Sequence, residues 1–177
     1  MCENKKTECI SKRHGLLKEG DKCPDVSFRL VGSNDHDRKS LKEIVRDNTA
    51  TVLFFFPKAG TPICTKEACE FNHASQELNR KDVMVIGISQ DPPDKLRSFR
   101  ETNCISYMFA SDAKPAGSIA EAFGVRPSSW MGLRPQERVT FVIGKDSSIK
   151  LAFSQQHNYV EHVSMATQCI RNIINSS

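Results

Sequence analysis

Two apolar patterns alternate along the chain. Residues 51–56 (TVLFFF) and 83–88 (VMVIGI) are unbroken apolar runs, as expected of strands covered on both faces of a sheet. Between them, from Pro62 to about Asn79, Ala68, Phe71, Ser75 and Leu78 recur at helical spacing on the face that also carries Cys64. Residues 25–31 read as an earlier short strand, followed by a polar turn, SNDHDR. Ser40 and Glu43 form the capping box of a short helix around Leu41, Ile44 and Val45. SQDPPD starts a helix through Leu96 and Phe99, and another around Ile119, Ala122 and Phe123 stops at Gly124. Residues 138–143 and 149–153 predict a hairpin about a GKDSS turn. A last helix from Asn158 to Ile174 is expected to turn Val160, Val163, Ile170 and Ile174 inward. Strands alternating with helices, then a hairpin and a helix, predict an α/β fold: a mixed central sheet with helices on both faces.

The length of 177 residues suits one domain, expected over residues 17–177 behind a basic tail, residues 1–16, that lacks periodicity and reads as disordered. No apolar run reaches the ~18 residues of a membrane span. The first residues, MCENKKTECISKRHG, have no apolar core of a secretory signal. The net charge of +4 sits mostly in residues 1–18, where five Lys/Arg face two Glu. The body is nearly neutral, so nucleic acid is not an expected partner. Seven cysteines without a secretion signal point to reduced thiols and a cytoplasmic setting. Only Cys64 and Cys69 form a close pair in the body, and C-x4-C is not zinc-knuckle spacing, so no metal is expected. Cys104 and Cys169 read as small buried hydrophobes.

The segment FFFPKAGTPICTKEACEF carries the chemistry. Thr61 followed by Pro62 is a helix start, with a hydroxyl at the N-cap and proline at N1. Cys64 then falls at N3, where unsatisfied backbone N–H groups and the positive end of the helix dipole favour thiolate over thiol. An inert packed cysteine is the competing reading. Cys69 lies five residues on, ~8.6 Å away along an ideal helix, too far for a disulfide while the helix is intact. Spacing alone leaves Cys69 either a space-filling neighbour or a thiol that reaches Cys64 once the first turns unwind.

PKAGTPICTKEAC resembles the active-site signature of the peroxiredoxins, P-x3-T-x2-C, and in C-T-x-E-A-C that of their Q type, the bacterioferritin comigratory proteins. LKEGDKCPDVSF, VIGISQDPPDKLRSF, FASD, FGV and RVTFVIGKDSSI follow in family order. The resemblance implies a thioredoxin-like fold and a thiol peroxidase that reduces hydrogen peroxide or alkyl hydroperoxides without metal, haem, flavin or other cofactor. It implies Cys64 as peroxidatic and Cys69 as resolving cysteine, joined in an intramolecular disulfide that a thioredoxin-like donor reduces. Thr61 would orient the peroxide, Pro57 would shield the thiolate, and Arg138 would stabilise thiolate and developing oxyanion, with Glu67 orienting that arginine. It further implies a monomer or weak homodimer with a role in antioxidant defence. Ile63 replaces a glycine common in the family, and Cys23 an alanine. The GGLG and terminal YF elements of other peroxiredoxins are lacking, so unwinding is expected to be easy.

Two other readings compete. A thioredoxin-type dithiol–disulfide oxidoreductase is disfavoured because C-x4-C within a helix poorly replaces C-x2-C at a helix start. A redox-sensing or chaperone-like module would use the same cysteine switch to expose helix surface.

Overall fold

The computed structural model describes residues 15–32, 38–78, 82–113, 119–126 and 135–176. Residues 1–14 of the expected tail, with Cys2 and Cys9, and most of the SNDHDR turn lie outside these residues. The last tail residue, Leu16, packs against the core, so the domain starts slightly earlier than expected. The strands are β1 (Ser27–Val31), β2 (Arg38–Ser40), β3 (Ala50–Phe55), β4 (Val83–Ser89), β5 (Met108–Ser111), β6 (Val139–Gly144) and β7 (Ile149–Ser154). The helices are α1 (Leu41–Asp47), α2 (Pro62–Leu78), α3 (Pro93–Thr102), α4 (Ile119–Ala122) and α5 (Tyr159–Asn175).

The seven strands form one sheet in the order β2-β1-β5-β4-β3-β6-β7. β3 pairs parallel with β4 and antiparallel with β6, so the TVLFFF run is central, and every β3 residue is buried. β4 and β5 are parallel, while β6 and β7 form the expected antiparallel hairpin, with a bulge between Val142 and Ile143. Successive β3 side chains feed two separate cores, because strand residues alternate faces. Val52 and Phe54 pack with Phe71, Leu96, Ala166 and Ile170 under α2, α3 and α5. Leu53 and Phe55 pack with Ile44, Val45, Ile119 and Phe123 under α1 and α4. The expected architecture, a mixed sheet with helices on both faces, is therefore present. Gly87 of β4 sits where the first core leaves no room for a side chain. A Cβ there would meet the Phe109 ring at 2.6 Å and Phe54 at 2.7 Å.

The Ser40–Glu43 capping box forms in full, and Asn158 caps α5 through the Glu161 N–H. Some expectations need correction. β2 and β5 have no counterpart in the apolar reading. β2 is three largely exposed residues at the sheet edge, and β5 is only four residues long. The helix before Gly124 is a single turn. On α5, Val160 is 56% exposed rather than inward, and the buried stripe is His162, Ala166 and Ile170. Val163 and Ile174 pack against the core as expected, though only partly buried. Cys104 is exposed and sits at φ 51° just after α3, in a turn rather than in the core. Cys169 is half-buried against the core.

Candidate active site

The parallel strand β3 delivers its C-terminal end to a short connector, residues 56–61, and α2 begins there. Gly60 takes φ 84°, a left-handed conformation that side chains resist, and turns the chain into the helix. The connector is moored from the neighbouring β4–α3 turn. The Asp91 carboxylate accepts the Ala59 N–H at 2.7 Å and the Ser89 hydroxyl at 2.8 Å, and Lys95 pairs with its other oxygen at 2.6 Å. Pro57, at the start of the connector, is half-buried. Thr61 occupies the helix entry: its carbonyl accepts the Thr65 N–H at 2.9 Å, and its hydroxyl donates to the Lys58 carbonyl at 3.0 Å.

Cys64 follows in the first turn of α2, with 1% of its surface exposed. Arg138, immediately before β6, reaches it at the C-terminal end of the neighbouring β3, where Phe55 pairs with Val139. Arg138 Nη2 donates to Cys64 Sγ at 3.2 Å, and Nη1 pairs with Glu67 Oε2. Arg138 is 3% exposed and Glu67 fully buried, so a cation, a carboxylate and a thiol meet out of water. A guanidinium is a permanent cation, and in this dry setting its charge acts at close range on the sulfur beside it. Burial pushes the Glu67 carboxyl up to about 7, against the pull of Arg138. Its Oε1 has no partner among the described residues.

Cys69 lies in the same unbroken helix and is half-buried with a free thiol. The ~8.6 Å spacing of an intact helix therefore applies. Around it α2 is tied to the segment before β5. The Tyr107 hydroxyl donates to the Ala68 carbonyl at 2.9 Å. Asn72 Oδ1 accepts from the Ser106 N–H and hydroxyl, each at 2.8 Å, and its amide donates to the Cys104 carbonyl at 3.3 Å. Of the other thiols, burial pushes Cys23 and Cys169 up, which keeps both protonated at neutral pH. Among the described residues no group of three or more His, Cys, Asp or Glu is placed to hold a metal, and no helix is long and apolar enough to cross a membrane.

Of the residues singled out in the sequence, Cys64, Arg138 and Glu67 are thus brought into direct contact. Thr61 and Pro57 precede Cys64 at the helix entry and in the connector, and Cys69 lies more than a helical turn away along α2. Asp91, Gln156 and His162 were not singled out. Asp91 could have been found from its place just after a buried strand. Gln156 carries no signal, being one polar residue in a loop, and His162 interrupts a helix stripe without breaking its period.

Residues 20–152 match the AhpC/TSA family. A Mycobacterium tuberculosis relative bearing the peroxiredoxin name is 35% identical over 157 residues, covering 89% of this chain and 98% of its own. Peroxiredoxin Bcp of Escherichia coli is 33% identical over 140 residues, covering 77% of this chain and 85% of its own. The crystal structure of peroxidoxin BcpB from Mycobacterium tuberculosis superposes with a TM-score of 0.78 at 33% identity, covering 89% of this chain and 98% of that one. Peroxiredoxin Q of Xanthomonas campestris shares the fold, with a TM-score of 0.73 at 21% identity over 88% of this chain and 99% of its own. With a thioredoxin-like sheet, a buried cysteine opening a helix and an arginine on its sulfur, the chain belongs to the AhpC/TSA family as a peroxiredoxin, a thiol peroxidase.

Proposed function

We propose that Cys64 is the peroxidatic cysteine, that Cys69 resolves it, and that Thr61, Pro57 and Arg138 serve the first step. The observation that carries this reading is the 3.2 Å bond from Arg138 to Cys64 Sγ inside a buried site. The thiolate attacks the terminal oxygen of the hydroperoxide. The S–O bond forms as the O–O bond breaks, giving a sulfenic acid on Cys64 and an alkoxide or hydroxide that takes up a proton and leaves as alcohol or water. Arg138 stabilises the charge as it moves from sulfur to the departing oxygen. Thr61, its hydroxyl anchored on Lys58, stands at the helix entry where a peroxide reaches the sulfur. Pro57 presents no N–H to that sulfur and keeps water from it.

Cys69 then attacks the sulfenic sulfur and expels water, forming the Cys64–Cys69 disulfide. The helix separation forbids this bond until the first turns of α2 unwind. A dithiol donor of thioredoxin type reduces the disulfide, and the helix reforms. The substrates are hydrogen peroxide and organic hydroperoxides, and the 39% exposed side chain of Ile63 beside Cys64 makes the site mouth apolar. The chain works as a monomer or weak homodimer in the cytoplasm. In support of the former, only Ile63, Val160 and Met165 are exposed large apolar residues among those described.

Peroxide consumption measured with and without thioredoxin and its reductase tests the reading. Wild type turns over only with the donor present, and Cys64→Ser, whose hydroxyl stays protonated and poorly nucleophilic, is inactive. Turnover above background in Cys64→Ser removes Cys64 from the chemistry. Donor-independent binding of unfolded proteins with no peroxide consumption favours the chaperone-like alternative.

A further inference from the structure

Arg138 is gripped from two sides, and only one of them belongs to α2. On that side are Glu67 and Cys64. On the other, Gln156 makes two bonds. Its main-chain carbonyl accepts from Arg138 Nε at 3.2 Å, and its side-chain Oε1 accepts the Arg138 backbone N–H at 3.0 Å. Gln156 lies in the connector between β7 and α5, beyond Ser154, which pairs with Val139 at the end of the hairpin ladder. His162, one turn into α5, ties that connector down. Its Nε2 meets the Gln155 carbonyl at 2.7 Å, and its Nδ1 meets the Thr140 hydroxyl at 2.8 Å. A carbonyl only accepts, so Nε2 carries the proton and Nδ1 accepts from Thr140. The ring is fully buried, packs edge-on to Phe153 at 4.8 Å and is neutral at physiological pH. Thr140 stands two residues from Arg138 on the same face of the strand. One imidazole thus joins β6, the connector and α5 beside the base of the arginine.

We infer that Gln156 and His162 are positioning residues that hold the Arg138 guanidinium on Cys64 independently of α2. This rests on the reading that Arg138 serves Cys64 and that α2 unwinds in each cycle. Glu67 lies between the two cysteines, so closing their disulfide draws its carboxylate away from Arg138. The Gln156 grip contains no α2 atom and survives that step. The guanidinium keeps its station while the helix is open, and α2 refolds onto a partner already in place.

The test separates the two chemical steps in the full chain. Rapid quenching with mass spectrometry gives the second-order rate of Cys64 oxidation by hydrogen peroxide and the first-order rate of disulfide closure. Gln156→Ala removes the Oε1 bond that fastens the connector to the Arg138 backbone, and so loosens the main-chain carbonyl on Nε. It and His162→Phe are expected to slow oxidation about tenfold, because small misplacements of a charge-stabilising group are costly. Closure depends on α2 and stays at the wild-type rate. His162→Gln, whose amide N–H still reaches the Gln155 carbonyl, recovers most of the oxidation rate. Wild-type oxidation by folded Gln156→Ala, alongside slow Arg138→Met, overturns the inference and leaves the role of Arg138 standing. Equal slowing of both steps also overturns it, since that marks a general loss of structure. Wild-type oxidation by Arg138→Met defeats the underlying reading and the inference with it. Should His162→Phe fail to fold, Gln156→Ala, at a half-buried loop position, decides the matter alone.

Discussion

The two faces of the sheet are built from alternate residues of the same strands, yet they differ in kind. Under α1 and α4, Leu53, Phe55, Phe123 and Phe141 make a dry aromatic and aliphatic core, with Phe123 and Phe141 ring centres 5.0 Å apart. Under α2 and α5, the apolar packing of Val52, Phe54 and Phe71 gives way at one end to a buried arginine, carboxylate, imidazole and thiol. One face supplies stability that chemistry never touches. The other holds the helix that the proposed mechanism must open. A helix can melt in every cycle only if the fold does not depend on it alone.

The sharpest way to break this comparison is at Cys69. In Cys69→Ser, Cys64 still forms sulfenic acid, thioredoxin-driven turnover collapses, and Cys64 proceeds to sulfinic acid. Oxidised wild type should lose helical circular dichroism and amide-exchange protection over residues 64–71, and regain both on reduction. Peptide mapping that finds a dominant Cys64–Cys104 or intersubunit crosslink, with full turnover in Cys69→Ser, transfers the role elsewhere. On the opposite face, Phe123→Ala should cost about 3–5 kcal/mol in denaturant unfolding, the cavity cost of a lost core aromatic. Its rate of Cys64 oxidation per folded molecule should stay within about twofold of wild type. A tenfold loss there would mean that the two faces are coupled.

Much of this division was legible in the sequence because it rests on local patterns. The TVLFFF run placed β3 in the centre, the Ser40–Glu43 pair capped α1, and Thr61-Pro62 fixed where α2 starts and so where Cys64 stands. What was missed depends on contacts between distant segments. β5 is held by β1 and β4 rather than by its own four residues. Val160 reads as inward by its type, but the roll of α5 on the sheet is set by His162, Ala166 and Ile170. Cys104 looks like core until the chain turns at φ 51° and leaves it outside. The grip of Gln156 on Arg138 spans 18 residues and obeys no period.

Stability between pH 4.5 and 6.5 probes the polar face. Burial lowers His162 from 6.5 to about 4, so unfolded chains bind its proton first. Its contribution is complete above pH ~6.5 and is lost as pH falls towards 4, on the order of 3 kcal/mol across that window. Glu67 acts in the opposite sense. Raised from 4.5 to about 7, it contributes below pH 4.5 and loses that contribution as pH rises through 7. Between pH 4.5 and 6.5 the two slopes oppose. Denaturant unfolding across this range should therefore show stability falling with pH in His162→Phe and rising more steeply than wild type in Glu67→Gln. Identical slopes in all three proteins would refute this account. The smallest expected effect is that of Arg138→Met. It should slow Cys64 oxidation at pH 7 by tenfold or more, at least ~1.4 kcal/mol of transition-state stabilisation. An unchanged rate would place the charge on sulfur under other control.

The Tyr107 hydroxyl on the Ala68 carbonyl holds the reactive segment itself, and Asn72, accepting from Ser106 and donating to the Cys104 carbonyl, clasps α2 just beyond it. That clasp sets how long the melted loop can grow. With Cys69 as the resolving thiol and Asn72 still docked, only four residues separate the two sulfurs in a tethered strap. A short flexible tether presents one end to the other at millimolar effective concentration or above. Free peroxide at micromolar levels then competes poorly for the Cys64 sulfenic acid. Through its reach on the chain, an asparagine that touches no substrate tilts the contest between completing a cycle and irreversible sulfinic acid.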